Sequence, residues 1–438
     1  MDDVRHTARG ESWVDAAAGT VSREAFVSDD VFRLELDRIF HRLWIFLAHD
    51  SEIPSPGDYV VRSMGSVPVL VVRGSDGELR VLLNSCRHRG TKLCRGEAGN
   101  ARHFVCPYHG WSYALDGRLI TTSYDGHLPP EMDKADWGLV PVPRLETYRG
   151  LVFAAWDPGV PALSDYLGDI AWYLDTLFWR SPQGMEVLAP PHRWRVRANW
   201  KIGALNFIGD SQHVRTTHAG PITLDRVRSE KDGFYVTGGD SFQVVTDRGH
   251  GCTLTYLAPG MKEENYLTHP PALGAAYAET LGADQLAMLH HLRVFVGNVF
   301  PNFSFIESQV ALGEKAVIVR QWQPLGGTEM EVLSWVLAER EADDGYKQRA
   351  LRHGFHNFGA AGVFEQDDLE IWASATQASD NPIAQRYPYS FHSSLPFDRS
   401  PCEQGRWPGT TYRPSNTEVA QFAFMRRWQA AMGSPDRA

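Results

Sequence analysis

Two short stretches of this chain carry residues that bind metals. The first is C-x-H at Cys86–His88, followed after 17 residues by C-x-x-H at Cys106–His109. Two thiolates and two imidazoles in two tight loops suit zinc or an iron–sulfur centre. The second is NFIGDSQHVRTTH, Asn206–His218, with Asp210 three residues before His213 and His218 five residues after it. Asp210 and His213 share a helix face. His213 and His218 lie about 140° apart on an ideal helix of ~3.6 residues per turn, so they meet on one ion only where the helix ends or distorts. Thr216-Thr217 offers such a place. Two imidazoles need a carboxylate to become the facial triad of a non-haem Fe(II) oxygenase, which leaves about three coordination positions open for O2 and water. The acidic stretch GAAGVFEQDDLEIW, Gly359–Trp372, can supply it. An acidic cluster can equally be a solvated helix face. Small residues before it and Phe364, Ile371 and Trp372 around it turn part of this one inward.

These residues need elements to hold them. Arg23–His49 reads as a helix, with Ser28 or Asp29 as cap and Val31, Leu34, Ile39 and Trp44 near helical spacing. From Gly57 the texture changes to β-branched runs broken by Gly-Ser and Asp-Gly turns, and it holds through LVFAAW. That is hairpin composition, and it gives a compact antiparallel β domain over residues 43–156 that contains the first motif. After Pro158 the pattern is mixed. Helices are expected at Tyr166–Trp179 and Trp200–His218, strands at Pro190–Val196 and within 233–258 and 293–338. A long helix over Tyr346–Trp372 is interrupted near Gly359–Gly362, Pro396–Pro414 is a loop, and a short helix closes the chain. The class is α+β with antiparallel sheets.

Composition bounds the function. The 438 residues suffice for two or three domains, and 43% hydrophobic with 22% charged is ordinary for a globular protein. A formal charge of −10 offers no basic face for nucleic acid. The N-terminal MDDVRHTARGESW lacks an apolar signal core, and no run approaches the length of a membrane span. A cytoplasmic protein is expected. Its five cysteines, Cys86, Cys94, Cys106, Cys252 and Cys402, are then expected to bind metal or pack rather than form disulfides; Cys94, just outside the ligand set, reads as packing. No Gly-rich dinucleotide fingerprint follows a strand, so any reductant must arrive from another protein.

CRHRG…CPYHGW resembles the cluster signature of Rieske proteins, in particular the ring-hydroxylating oxygenases. In a Rieske [2Fe–2S] centre two histidines replace two cysteines on one iron. By that resemblance Cys86 and Cys106 hold one iron and His88 and His109 the other. Respiratory-chain Rieske proteins carry a further cysteine in each loop, where this chain has Thr91 and Tyr108. NWKIGALNFIGDSQHVRTTH and GVFEQDDLE resemble the iron-binding stretches of aromatic-ring dioxygenase large subunits. The resemblance runs from about residue 25 to 375. It implies His213, His218 and Asp368 as ligands of a mononuclear Fe(II), Asp210 as the link between iron and cluster, and Asn206 near the open coordination face. It implies Phe207, Phe358 and Phe364 as substrate-pocket residues and, more weakly, VFPNFSF (Val299–Phe305) as a pocket wall. Leu205 and Gln212 depart from residues common in the family, which weakens any transfer of substrate class.

The implied fold is a Rieske domain, 43–156, inserted in a catalytic domain, 1–42 and 157–438, whose antiparallel sheet is covered by helices in a helix-grip-like arrangement. The implied reaction adds both atoms of O2 to an aromatic ring to give a cis-dihydrodiol, with monohydroxylation or demethylation as the alternative. NADH supplies electrons through a reductase and ferredoxin. A small β subunit is expected in an α3β3 hexamer, with α3 as the alternative. An aromatic acid as substrate would want a pocket arginine, for which Arg215, Arg320 and Arg352 are the candidates, and the reading leans to hydrocarbons.

Overall fold

The computed structural model of the chain describes residues 12–125, 131–223, 240–256, 269–311, 314–394, 407–413, 415 and 417–433. Ser28 starts the first long helix by accepting a hydrogen bond from the Val31 amide. The helix runs over Asp29–Glu35 and on through a wider turn to Phe40. It stops there. The stretch read as helical through His49 ends in a strand, Ile45–His49, every residue of which is buried. A short apolar run suits a doubly covered strand as well as a helix, and pairing with Leu151–Ala155 settles which.

Between residues 45 and 155 the described strands form three antiparallel sheets. One runs in the order Leu79–Leu83, Val67–Arg73, Asp58–Met64, Ala98–Asn100. A second joins Leu119–Thr121, Ser112–Tyr113 and Phe104–Val105; a third joins Arg144–Tyr148, Leu151–Ala155 and Ile45–His49. Leu70, Val72, Leu82, Phe104 and Tyr113 form an apolar interior that also takes in Cys86 and Cys106.

Beside a small sheet of Val14–Asp15, Thr20–Val21 and Tyr389–Ser390, the other described strands build one nine-stranded antiparallel sheet from β1 (Met185–Val187), β2 (His192–Val196), β3 (Ser241–Val245), β4 (Gly251–Tyr256), β5 (Leu292–Val299), β6 (Phe303–Ala311), β7 (Glu314–Pro324), β8 (Met330–Glu339) and β9 (Thr410–Tyr412). The order is β1-β8-β7-β6-β5-β4-β3-β9, with β2 also pairing with β8. Side chains alternate between its faces. On one face Phe303, Phe305, Val317, Val319 and Trp335 share a core with Tyr173, Leu177 and Phe178. On the other, Trp322 and Val332 share a core with Ala204, Phe207, Ile208 and Trp372. Val299, Phe303 and Phe305, expected in a pocket wall, therefore lie on the face opposite Phe207. The alternation of the strand sends them there.

Five helices on or beside the second face position the site: α1 (Trp200–Gly209), α2 (Val214–Thr217), α3 (Asp344–Phe358), α4 (Val363–Ser379) and α5 (Val419–Met432). The break between α3 and α4 falls at the expected glycines. α1 is anchored at its first turn. Lys201 is wholly buried and ion-paired with Glu35 of the N-terminal helix, which also accepts from Trp200 Nε1 at 2.9 Å and Trp428 Nε1 at 2.7 Å. A lone buried ammonium is costly, and this carboxylate ties the chain's first helix, α1 and α5 together. At its other end α1 stops at Gly209, whose φ of +147° only glycine adopts readily and whose Cβ would fall 2.1 Å from the Thr253 hydroxyl on β4. Cys86, Cys94, Cys106 and Cys252 are free thiols; Cys402 lies outside the described residues.

Candidate metal centres

The two cysteine–histidine loops share one backbone design. The Cys86 amide donates to Thr91 O and the Gly90 amide to Cys86 O; the Cys106 amide donates to Trp111 O and the Gly110 amide to Cys106 O. Each loop thus curls over its own cysteine. Both thiols are buried, and Cys86 Sγ lies 3.2 Å from the Tyr113 hydroxyl. Both imidazoles are half-buried at the rim, with Nδ1 facing Nδ1 at 3.1 Å. Trp111 stacks parallel to His88, and Tyr108, itself exposed, lies tilted over His109. Burial pushes the Cys106 thiol up, so a cation is what lets Cys106 persist as a thiolate. Thiolates within and imidazoles at the rim fit an asymmetric two-iron cluster and poorly fit a structural zinc, which draws four donors around one point.

The second centre forms where α1 ends. Asp210 Oδ1 accepts from the amides of Gln212 (3.2 Å) and His213 (3.3 Å) and so caps the next turn. One turn of helix, α2, follows, with His213 before it and His218 after it. That short helix resolves the 140° problem: the two Nε2 atoms lie 3.2 Å apart with their rings at 74°. Asp368, on α4, brings Oδ1 to 3.5 Å from His213 Nε2 and 3.4 Å from His218 Nε2. This Oδ1 is buried without a hydrogen-bond donor. An orphaned carboxylate oxygen facing two imidazole nitrogens is a site missing a cation. Three donors at about 2.1 Å on one octahedral face stand roughly 3 Å from one another, close to the separations seen. The residues fit a ferrous ion.

Each outer nitrogen also has a carboxylate. Asp210 Oδ1 stands 3.5 Å from His213 Nδ1, an electrostatic contact rather than a formed hydrogen bond. Asp367 Oδ2 stands 3.2 Å from His218 Nδ1. Burial works against a charged His213, but Asp210 outweighs it and the pKa is raised; burial likewise opposes the Asp210 carboxylate, and His213 holds it below its usual range. Asn206 Nδ2 reaches His213 Nε2 at 3.4 Å. No sequence signal marks Asp367 for a role behind His218. Its contact with His218 follows from the ~100° step between neighbours on a helix, which turns Asp367 to the ring's outer edge while Asp368 meets the inner one.

Apolar groups flank the triad. Phe364 packs edge-on against His218 (5.1 Å), and Phe358 stacks on Phe364 (5.8 Å). Phe207 is buried against Trp322. A cavity of about 230 Å³ opens on the other side, lined by Leu205, Asn206, Asp210, His213, Asp368 and Ile371; the three phenylalanines lie outside it. Of the three arginines weighed for a substrate carboxylate, Arg215 and Arg352 are exposed. Arg320 is fully buried and paired with Glu365.

Residues 43–130 match the Rieske [2Fe–2S] domain model, and residues 163–433 match the catalytic-domain model of ring-hydroxylating α subunits. The chain belongs to the ring-hydroxylating α-subunit family. The α subunit is 34% identical to benzene 1,2-dioxygenase subunit alpha of Pseudomonas putida, over 98% of this chain and 95% of that one. It is also 34% identical to N,N-dimethyl phenylurea N-demethylase subunit alpha of Sphingobium sp. (strain YBL2), over 96% and 93%. Its fold superposes on naphthalene 1,2-dioxygenase from Rhodococcus sp. bound to indole with a TM-score of 0.87, at 35% identity and 94% coverage of both chains. The α subunit is a Rieske non-haem iron dioxygenase component whose cofactors are a [2Fe–2S] cluster and a mononuclear iron, reduced by NADH through partner proteins. No helix among the described residues is long and apolar enough to cross a membrane.

Proposed function

We propose that this α subunit is the oxygenase component that converts a neutral aromatic hydrocarbon to a cis-dihydrodiol in the cytoplasm. Both atoms of O2 are added to the ring, with two electrons from NADH delivered through a reductase and ferredoxin and two protons from NADH and water. The observation that carries this reading is the triad, buried beside aromatic side chains, with the buried arginine Arg320 taken up by Glu365 rather than left to hold a substrate carboxylate. Cys86 and Cys106 hold one cluster iron, His88 and His109 the other. His213, His218 and Asp368 hold the mononuclear iron, which when bound supplies the activation of O2. Phe207, Phe358 and Phe364, outside the cavity of about 230 Å³ and on the opposite side of the triad, are in our reading the wall that meets the ring and excludes water. Asn206 stands over the open face, and Asp210 orients His213.

The working unit is a trimer, α3β3 in our reading. Asp210 lies 38% exposed in the mouth of the cavity, and Tyr108 and Val105 are exposed around the cluster histidines. Asp210 then joins the two centres across a subunit boundary, with His109 of a second copy on one side and His213 on the other. The Rieske domain spans 43–156 and the catalytic domain the remainder.

Product analysis and oxygen uptake test this with the reconstituted electron chain and a panel of benzene, biphenyl, naphthalene and benzoate. Dihydrodiols from neutral arenes and none from benzoate are expected; turnover of benzoate alone refutes the substrate class. The N-demethylase relative supports a second reading on the same fold, monooxygenation with loss of a methyl group, and formaldehyde release from an N,N-dimethyl phenylurea identifies it.

A further inference from the structure

Arg320 sits in the middle of β7, on the face that carries the metal helices. Its guanidinium is fully buried and forks onto Glu365, with Nη1 3.0 Å from Oε1 and Nη2 on Oε2. Nη2 also donates to the Phe358 carbonyl at 3.0 Å. The guanidinium carbon lies 4.6 Å from the centre of the Phe207 ring, and Trp194 and Trp322 lie on further sides at 5.4 and 5.6 Å. Nε has no hydrogen-bond partner. Three elements meet on this one group: α1 through Phe207, the last residue of α3 through Phe358, and the first turn of α4 through Glu365. Glu365 stands one helical turn before Asp368, on the same face.

We propose that the Arg320–Glu365 pair is a positioning device that fixes both the shape of the aromatic pocket and the placement of the Asp368 carboxylate. This rests on the reading that Phe207 and Phe358 meet the substrate and Asp368 the iron. Stability alone is a poor reason for such a pair. Burying two charges costs about as much as their attraction returns, and an apolar pair of similar volume often does as well. Burial pushes the Glu365 carboxyl up to about 7 even beside Arg320, and one guanidinium donor goes unmet. What an apolar pair lacks is direction. A planar fork fixes the helix turn that carries Asp368 relative to β7, and its flat face sets the tilt of the Phe207 ring.

The test is the paired substitution Arg320→Met with Glu365→Leu, compared with Arg320→Lys, in the full oxygenase. Lysine keeps the charge and loses the fork and the flat face. Three readouts are taken: iron content, the paramagnetic resonance spectrum of the ferrous site with nitric oxide as probe, and the ratio of dihydrodiol isomers from biphenyl. Both variants should retain iron. Both should show an altered nitric oxide spectrum and a changed isomer ratio, with product per O2 consumed falling ~10-fold or more, as an ångström-scale misplacement does. A purely structural pair predicts that the apolar swap, once folded and iron-loaded, matches wild type in spectrum and isomer ratio; that result overturns the proposal. If the swap does not fold, wild-type values for Arg320→Lys overturn it equally. If wild type fails to oxidise biphenyl, the substrate reading falls, and the nitric oxide spectrum still decides the role of Arg320.

Discussion

The cluster loops and the iron triad each use two histidines, yet they are built in opposite ways. The proposed cluster ligands lie within residues 86–109, on two loops with the same hydrogen-bonded turn. Their imidazoles sit at the rim beside an exposed tyrosine. The proposed iron ligands come from residues 213 to 368, two flanking α2 and one on α4, and meet under apolar cover with Asp368 only 9% exposed. A group that must pass electrons needs an accessible edge, whereas a site that must direct O2 needs water kept out. The local loops hold their ligands almost by themselves. The iron site depends on how three helices lie on a sheet, so it leans on Asp210 and Asp367 behind its histidines and on the Glu35 and Arg320 anchors.

The sharpest way to break this comparison is to disable the sites one at a time. Asp368→Ala removes the carboxylate and should abolish mononuclear iron and activity while the cluster's absorption and paramagnetic signal stay unchanged. Cys86→Ser should do the converse, because cluster iron requires the thiolate. Metal analysis with labile sulfide on both variants checks the pair. Loss of both metals in either variant would show that the sites do not assemble independently.

Asp210→Asn is expected to keep both metals and still lose roughly 10- to 100-fold in turnover, the usual cost of removing a carboxylate behind a ligating histidine. If Asp210 also joins two subunits, the loss is larger, and complementation reveals it. Cys86→Ser and His213→Ala should each be inactive alone. In mixed trimers an intact cluster can stand beside an intact iron site on the next chain, and activity should partly return. Mixed, folded trimers without activity would confine Asp210 to orienting His213.

The same contrast explains what was readable in advance. Cys86, His88, Cys106 and His109 are close in sequence, and their types and spacing alone narrowed the chemistry to zinc or iron–sulfur. The helix break between His213 and His218 followed from angles, since two histidines five apart cannot otherwise converge. The rest was tertiary. Asp368 was chosen over Asp367 by resemblance, and nothing in the sequence tells that Asp367 lies behind His218. Arg320 and Glu365 stand on different elements, and their pairing depends on how α4 lies across β7. The strand at Ile45–His49 is indistinguishable from a helix end in the sequence, because an apolar run lacks a period that separates the two. Strand alternation, a local property, is what sends Phe303 and Phe305 to the face away from Phe207.

Asp367→Asn is a milder test of the iron site. The contact with His218 Nδ1 is lost as a charge but kept as a hydrogen-bond acceptor. Iron affinity should fall by about 10-fold, at the low end for an outer-shell carboxylate, with turnover close to wild type once iron is saturating. Iron titration of the apoprotein measures it. An affinity unchanged within twofold would mean that the apolar packing of Phe364 orients His218 unaided.

A third kind of histidine in this chain faces no metal, and it sets a pH limit on the fold. His250 is fully buried; its Nε2 donates to Tyr166 O at 2.8 Å, and its Nδ1 accepts from the Phe300 amide at 3.0 Å. Those partners fix the neutral form, because a proton on Nδ1 would face an N–H. Burial lowers its pKa to about 4, with Arg427 and Arg248 adding to the effect. His49, also buried, is lowered by burial to about 3. In the unfolded chain both take up a proton near 6.5. Between about 6.5 and 4 the unfolded state therefore holds more protons than the folded one, and stability falls as the pH falls through that window. Above it the full contribution is present. Each group costs about 1.4 kcal/mol per pH unit, so His250 alone accounts for on the order of 3 kcal/mol. His250→Gln keeps a donor and an acceptor without titrating. Its melting temperature should be slightly lower than wild type at pH 7.5 and should decline less steeply between pH 6.5 and 4.5. An equally steep decline in the variant would place the acid sensitivity elsewhere, first at His49.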